Sequence, residues 1–165
     1  MVRAVRSLTR RNSSAERLLL CRNGSGWADI RADDLNAHFN ELVGNDCSVK
    51  DLRTWHGTVL ATAAFADADP PMSQRVAKRV EAAVMREVAD ELGNTAAVAR
   101  GSYVDPRVVT GYRQGMTIAA AVRRARRARR PAAAQHILET ATRTLVQRIA
   151  KGQSTSRAQP LAKTA

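Results

Sequence analysis

The sequence predicts a mainly helical, all-α protein with at most a short strand remnant near its N-terminus, and three observations predict it. Apolar residues make up 44% of the 165 residues but aromatics only 4%, so the core has to be assembled from Ala, Val and Leu. Those apolar side chains recur at spacings of three and four, the helical period. Capping and breaking residues punctuate the periodic stretches. The length suits one modest domain with a real core. The expected organisation is a loose basic segment over 1–17, holding five arginines, then a helical domain over 18–152 and a disordered tail over 153–165.

Arg22-Asn23-Gly24-Ser25-Gly26 is turn chemistry, in which glycines supply positive φ. It separates Leu18–Cys21 from Trp27–Ile30, which read as strand remnants or loop. Asp33 or Asp34 can cap a helix carrying Leu35, His38, Phe39, Leu42 and Val43 on one face and ending at Gly44. Ser48-Val49-Lys50-Asp51 has the form of a capping box, with Asp in place of Glu. It opens a helix on which Val49, Leu52, His56, Val59, Leu60 and Ala63 share a face. Asp69-Pro70-Pro71 ends it. From Ser73 a long helix follows whose stripe is Val76, Val80, Val84, Val88 and Leu92, stopped by Gly93. A short helical run over 95–100 precedes Tyr103-Val104-Asp105-Pro106, where the proline forces Asp105 out of the helical region. Further helices are expected from Pro106 to Tyr112, from Thr117, and from Pro131, the last with Ile137, Leu138, Ala141, Leu145 and Ile149 inward.

No apolar run approaches the 18 or more residues of a membrane span, and none of signal-peptide length follows the basic N-terminus. A cytoplasmic protein is therefore expected. Cys21 and Cys47 read as buried or idle thiols, and His38, His56 and His136 are too scattered for a metal cluster. The net charge of +12 is unevenly placed. Residues 1–99 hold 13 basic and 13 acidic side chains, whereas 100–165 hold 14 basic and 2 acidic. A neutral body with a cationic C-terminal part points to a polyanionic partner, and for residues 100–130 that partner is nucleic acid.

A guanidinium, an amide and a phenol stand in two short segments. Lys50-Asp51-Leu52-Arg53-Thr54-Trp55-His56-Gly57-Thr58 resembles the second active-site box of type IB DNA topoisomerases, in their compact bacterial and poxvirus-like form. Leu92-Gly93-Asn94-Thr95-Ala96-Ala97-Val98-Ala99-Arg100-Gly101-Ser102-Tyr103-Val104-Asp105-Pro106 resembles the nucleophile segment of the same family, and the likeness covers roughly residues 18–113. The resemblance implies the helical catalytic fold shared with tyrosine recombinases, and a double-stranded DNA partner. It makes Tyr103 the nucleophile that becomes joined to the 3′ end of the cut strand, Arg53 the donor to a non-bridging phosphate oxygen, and Asn94 a second donor to that phosphate. Each role is chemically apt. A phenol is mostly protonated at neutral pH, so a tyrosine nucleophile needs a cationic setting. A guanidinium fork suits the charge that builds in a pentacoordinate transition state. Lys50, Arg100, Arg107 and the arginines Arg123, Arg124, Arg126 and Arg127 are the expected contacts to the DNA backbone. No cofactor, metal or nucleotide is expected, since no phosphate-cradling Gly-x-x-x-x-Gly-Lys loop or acidic cluster occurs.

The family also uses an earlier arginine, and a lysine on an upstream β-hairpin that protonates the leaving 5′ oxygen. Only 52 residues precede Arg53 and the first lysine is Lys50, so neither is matched here. Gly101 stands where many relatives place a basic residue. The expectation is an N-terminally truncated, C-terminal part of a catalytic domain with impaired chemistry: a monomer whose full activity could require the absent N-terminal half. Other readings stay open. A tyrosine recombinase shares the core, but typically shows His-x-x-Arg where this chain has Lys50-Asp51-Leu52-Arg53. A non-enzymatic DNA-binding protein needs only the scaffold and the arginines, and a helical interaction domain with an idle basic tail needs neither. Residue by residue, Arg53 could be an ordinary surface arginine, Asn94 a helix cap and Tyr103 a packing residue. Tyr112 is the competing phenol, although its run with Val108 and Val109 favours packing. Trp55 and His56 read as residues packed on a neighbouring helix.

Overall fold

The computed structural model describes Arg6 and residues 19–157, apart from Ser25, Asn45 and Asp46. The loose segment expected over 1–17, Arg6 excepted, and residues 158–165 of the expected tail lie outside the described residues. The chain divides into two compact units, Met1–Asp51 and Leu52–Ala165. The mainly helical expectation holds: among the described residues the only sheet is a two-stranded hairpin.

In the first unit, β1 (Leu20–Asn23) pairs antiparallel with β2 (Gly26–Asp29), Leu20 opposite Asp29 and Arg22 opposite Trp27. The two strand remnants are thus real strands around the glycine turn. Helix α1 (Ala32–Val43) begins one residue before the predicted caps. Arg31 holds the cap position, and Asp34 in the first turn accepts its backbone N–H at 2.8 Å. Gly44, at φ 69°, ends the helix as predicted. Its apolar face is not buried: Leu35 is 46% exposed and Leu42 74%. Cys21 and Cys47 are exposed and not joined in a disulfide, so of the two expected states, buried or idle, burial does not hold.

Helix α2 (Val49–Asp67) straddles the unit boundary, and the capping box forms as read. The Ser48 backbone N–H donates to Asp51 at 2.8 Å, and the Asp51 N–H donates to the Ser48 hydroxyl at 3.3 Å. The Ser48 hydroxyl and backbone together hold the Asp51 carboxyl below its usual range. The buried line of α2 differs from the predicted stripe. Val59 of that stripe is buried and Leu60 and Ala63 pack on the core, but Val49, Leu52 and His56 are exposed, and Thr58, Ala61, Thr62 and Phe65 are buried instead. Two threonines lie inside because their hydroxyls find partners, Thr62 donating to the Thr58 carbonyl at 2.7 Å.

Helix α3 (Gln74–Leu92) is capped by Ser73, whose hydroxyl accepts the Val76 N–H at 3.2 Å. Val84 and Val88 of the predicted stripe are buried, and Val80 and Leu92 pack against the core. A second row, Ala77, Glu81, Met85 and Ala89, is buried beside them. After α3 come α4 (Ala96–Val98), which runs directly into a π-helical turn (Ala99–Tyr103), α5 (Pro106–Arg113), α6 (Ala119–Arg126) and α7 (Pro131–Arg157). Helix α7 packs along α5 and α6, and Leu145 and Ile149 enter the core as expected. No helix among the described residues is long and apolar enough to cross a membrane.

Candidate active site

The end of α3 builds one side of the site. Gly93 takes φ 63°, its N–H bonds the Asp90 carbonyl at 3.3 Å, and the Asn94 N–H bonds the Ala89 carbonyl at 2.8 Å. This pair of bonds is a Schellman cap, and it leaves the Leu92 carbonyl without a helical donor. Two side chains take that oxygen. Asn94 donates through Nδ2 at 3.0 Å, and Arg53, one turn into α2, donates through Nη2. A cation at a helix C-terminus is also favoured by the helix dipole. The guanidinium carbon of Arg53 lies 5.1 Å from the centroid of the Tyr103 ring, within cation–π range. The three residues predicted to act together are therefore gathered at one place. Arg53 is exposed, while Asn94 and Tyr103 are half-buried. Asn94 also performs the capping role that its position after Gly93 suggested.

Tyr103 ends the π turn, and Val104 is already extended. Its backbone is seated on α2. Thr54 Oγ1 donates to the Ser102 carbonyl at 3.3 Å, and Thr58 Oγ1 donates to the Tyr103 carbonyl at 3.4 Å. Thr58 Oγ1 in turn accepts the Asp105 N–H at 3.1 Å. Gly57 makes this approach feasible: a Cβ there would stand 2.7 Å from the Tyr103 carbonyl oxygen and 3.2 Å from its Cβ. Beyond the tyrosine, Asp105 caps α5 by accepting the Arg107 N–H at 2.9 Å, with Pro106 at the first helical position. Burial pushes the Asp105 carboxyl up, but the side-chain and backbone bonds from Arg107, with its charge, outweigh burial and hold it below the usual range.

The competing phenol is a core residue. Tyr112 is 1% exposed, donates to the Asp69 carbonyl at 2.8 Å and stacks on Phe65 with ring centroids 4.8 Å apart. Burial, with the nearby charges of Asp69 and Glu81, pushes its hydroxyl upward. Trp55 is half-buried beside His136 and Arg143 of α7, whereas His56 is exposed.

The residues expected to meet DNA divide into two groups. Lys50 stands exposed in the first turn of α2, and Arg123, Arg124 and Arg127 are exposed on or just after α6. Three of the arginines form ion pairs within the protein: Arg107 with Asp105, Arg126 with Asp67 at 2.7 Å, and Arg100 with Glu81 at 3.3 Å. Sequence reasoning missed Thr54, Gly57, Thr58 and Glu81. The spacing of Thr54 and Thr58 by one helical turn beside Arg53 was a usable signal.

A guanidinium, an amide and a phenol are thus gathered on a helical scaffold, with cationic helices downstream. A family model described as eukaryotic DNA topoisomerase I, catalytic core, matches residues 4–129, which is 126 of the 165 residues. The chain belongs to this DNA topoisomerase I family, whose members are DNA-binding isomerases. No curated protein matches the sequence.

Proposed function

We propose that this chain is a type IB DNA topoisomerase domain, of the compact bacterial and poxvirus-like form, that nicks and reseals one strand of duplex DNA through Tyr103. One observation carries the reading: Arg53 and Asn94 donate to a single oxygen, and the Tyr103 ring lies against the same guanidinium. A phosphate oxygen that replaced the Leu92 carbonyl would collect both donors, and it would bring phosphorus to the side of the phenol. Donors held in place before charge develops are the arrangement that stabilises an oxyanion-like transition state.

In the forward step the phenolic oxygen bonds to phosphorus as its proton passes to water, and the bond from phosphorus to the 5′ oxygen breaks with that oxygen taking up a proton from water. The 3′-phosphotyrosyl bond keeps the energy of the broken phosphodiester, so resealing by the 5′ hydroxyl needs no nucleotide. Swivelling of the duplex between the steps relaxes supercoils. The leaving 5′ oxygen must acquire a proton, and no lysine precedes Lys50 to match the family's general acid. Such a group contributes about 10²–10⁴-fold to the protonation of a leaving oxygen.

Covalent trapping tests the reading. The protein is mixed with labelled supercoiled plasmid in EDTA, quenched with detergent, and run on a denaturing gel beside Tyr103→Phe. A protein–DNA adduct that the variant lacks supports Tyr103 as the nucleophile. DNA retained on a native gel with no adduct from either protein would leave only a DNA-binding remnant.

A further inference from the structure

Glu81 is a charged residue in the wrong place for a surface side chain. It lies at the middle of α3, 2% exposed, in line with Ala77, Met85 and Ala89. A buried carboxylate is costly unless its oxygens are paired. Here each oxygen has its own guanidinium: Oε1 accepts from Arg113 Nε at 2.6 Å, and Oε2 accepts from Arg100 Nη1 at 3.3 Å. Both arginines reach in from half-exposed positions, with side chains 50% and 53% exposed.

The places of those arginines in the chain give the pair its meaning. Arg100 lies in the π turn, three residues before Tyr103, and Arg113 is the last residue of α5. One carboxylate therefore ties both ends of the stretch that carries Tyr103 to α3. The C-terminal end of that same helix presents the Leu92 carbonyl and Asn94. The middle of the stretch is held separately to α2 by Thr54 and Thr58. A π turn is a rare conformation that persists where its surroundings stabilise it. Salt bridges exposed on a surface would contribute little, but a buried acceptor with two cationic donors is sensitive to the loss of its charge.

We propose that Glu81 is a positioning residue for Tyr103, acting through Arg100 and Arg113 to set the register of the π turn against the Arg53–Asn94 acceptor point. This rests on Tyr103 being the nucleophile. Glu81→Gln keeps the shape and removes the charge. The test measures single-turnover adduct formation on supercoiled plasmid, duplex affinity by fluorescence anisotropy in a Tyr103→Phe background, and thermal unfolding.

The expected result is a loss of about 10–100-fold in adduct rate, with affinity unchanged within about threefold. Glu81→Gln combined with Arg100→Gln should lose less than the product of the two single effects, because the groups act as one unit. An unchanged adduct rate in folded Glu81→Gln overturns the proposal. So does a fall in rate matched by equal falls in affinity and melting temperature, which marks a purely structural residue. If Glu81→Gln does not fold, Arg113→Gln decides, since that side chain is reached from the surface: slower adduct formation at constant affinity supports the role, and a wild-type rate overturns it. No adduct from the unmutated chain would instead remove the nucleophile reading, and the positioning role with it.

Discussion

Gly57→Ala is the smallest change that should separate the backbone seat of Tyr103 from the side chains of the site. The added Cβ would stand 2.7 Å from the Tyr103 carbonyl oxygen, whereas ordinary van der Waals contact begins near 3.4 Å. The difference is 0.7 Å, taken from those two distances. The obstructing atom is backbone, and the Thr58 hydroxyl holds it from the same helix, so it has no rotamer by which to move aside. A further contact at 3.2 Å to the Tyr103 Cβ pushes in the same sense. Overpacking of this kind costs about 1–3 kcal/mol, and a displacement approaching 1 Å at a reacting group can cost roughly 100-fold in rate.

The natural control is Gly101→Ala, in the same π turn and two residues from Tyr103. A Cβ at Gly101 meets nothing within 4 Å, and its φ lies outside the left-handed range. Each variant adds one methyl group, but only the Gly57 one meets Tyr103. Single-turnover adduct formation should fall by about 10–100-fold for Gly57→Ala and stay within about twofold for Gly101→Ala. Denaturant unfolding should show a loss confined to the first variant. Wild-type adduct rates in Gly57→Ala would refute the inference that α2 positions the nucleophile through the Tyr103 backbone.

Other outcomes are expected from the same contacts. Thr58→Val deprives the Asp105 N–H of its acceptor and should destabilise by about 1–3 kcal/mol in urea unfolding. Tyr112→Phe removes only the bond to the Asp69 carbonyl, so it should cost about 0.5–1.5 kcal/mol while leaving adduct formation intact, unlike Tyr103→Phe. The Asp105 carboxyl lies below its ordinary value of 3.8 in the fold, so the stability it contributes is complete above that value and is lost as pH falls through the depressed one. Asp105→Asn should accordingly flatten the acid side of a plot of urea midpoint against pH. Finally, sulfur in place of the 5′ bridging oxygen at a mapped cleavage site leaves as a thiolate that needs no general acid, and it should speed adduct formation by about 10²–10⁴-fold. An equal rate with oxygen and sulfur would mean that protonation of the leaving group is already supplied.

The parts of the site that were legible in the sequence are those whose chemistry resides in the side chain itself. Arg53, Asn94 and Tyr103 could be read as a set because the two segments that hold them resemble the active-site boxes of one family; alone, each had an ordinary structural reading. The helix ends were legible because Ser48 with Asp51, Ser73 and Gly93 act within one turn of themselves. What stayed hidden depends on partners far along the chain. Glu81 breaks an apolar row in a way that looks like a solvated face until Arg100 and Arg113 arrive from 19 and 32 residues away. Arg126 looks like any member of its arginine run until Asp67, 59 residues earlier, claims it. Thr58 and Thr62 of α2 lay outside the apolar stripe read from the sequence, although their hydroxyls are satisfied locally or by the segment that carries Tyr103. The exposed face of α1 carries a periodicity that was read correctly and a burial that periodicity alone could not supply.

The Leu92 carbonyl explains how so exposed an arginine is kept in place before substrate arrives. An unengaged Arg53 would sample many rotamers and lose that freedom on binding, a cost of about 2 kcal/mol for such a side chain. The Schellman cap at Gly93 prevents this by satisfying the Ala89 and Asp90 carbonyls and leaving Leu92's for a side chain. The guanidinium then rests on a partial negative charge at the helix end, with Asn94 beside it on the same oxygen. A phosphate oxygen carries more charge than a carbonyl, so on the proposed function it is the stronger acceptor for these two donors. On the proposed function, the helix terminus would serve as a resident acceptor that holds these donors until substrate arrives. By this reasoning the αL residue at Gly93 is as much a part of the site as Arg53, because without it the chain would not present Leu92 and Asn94 together.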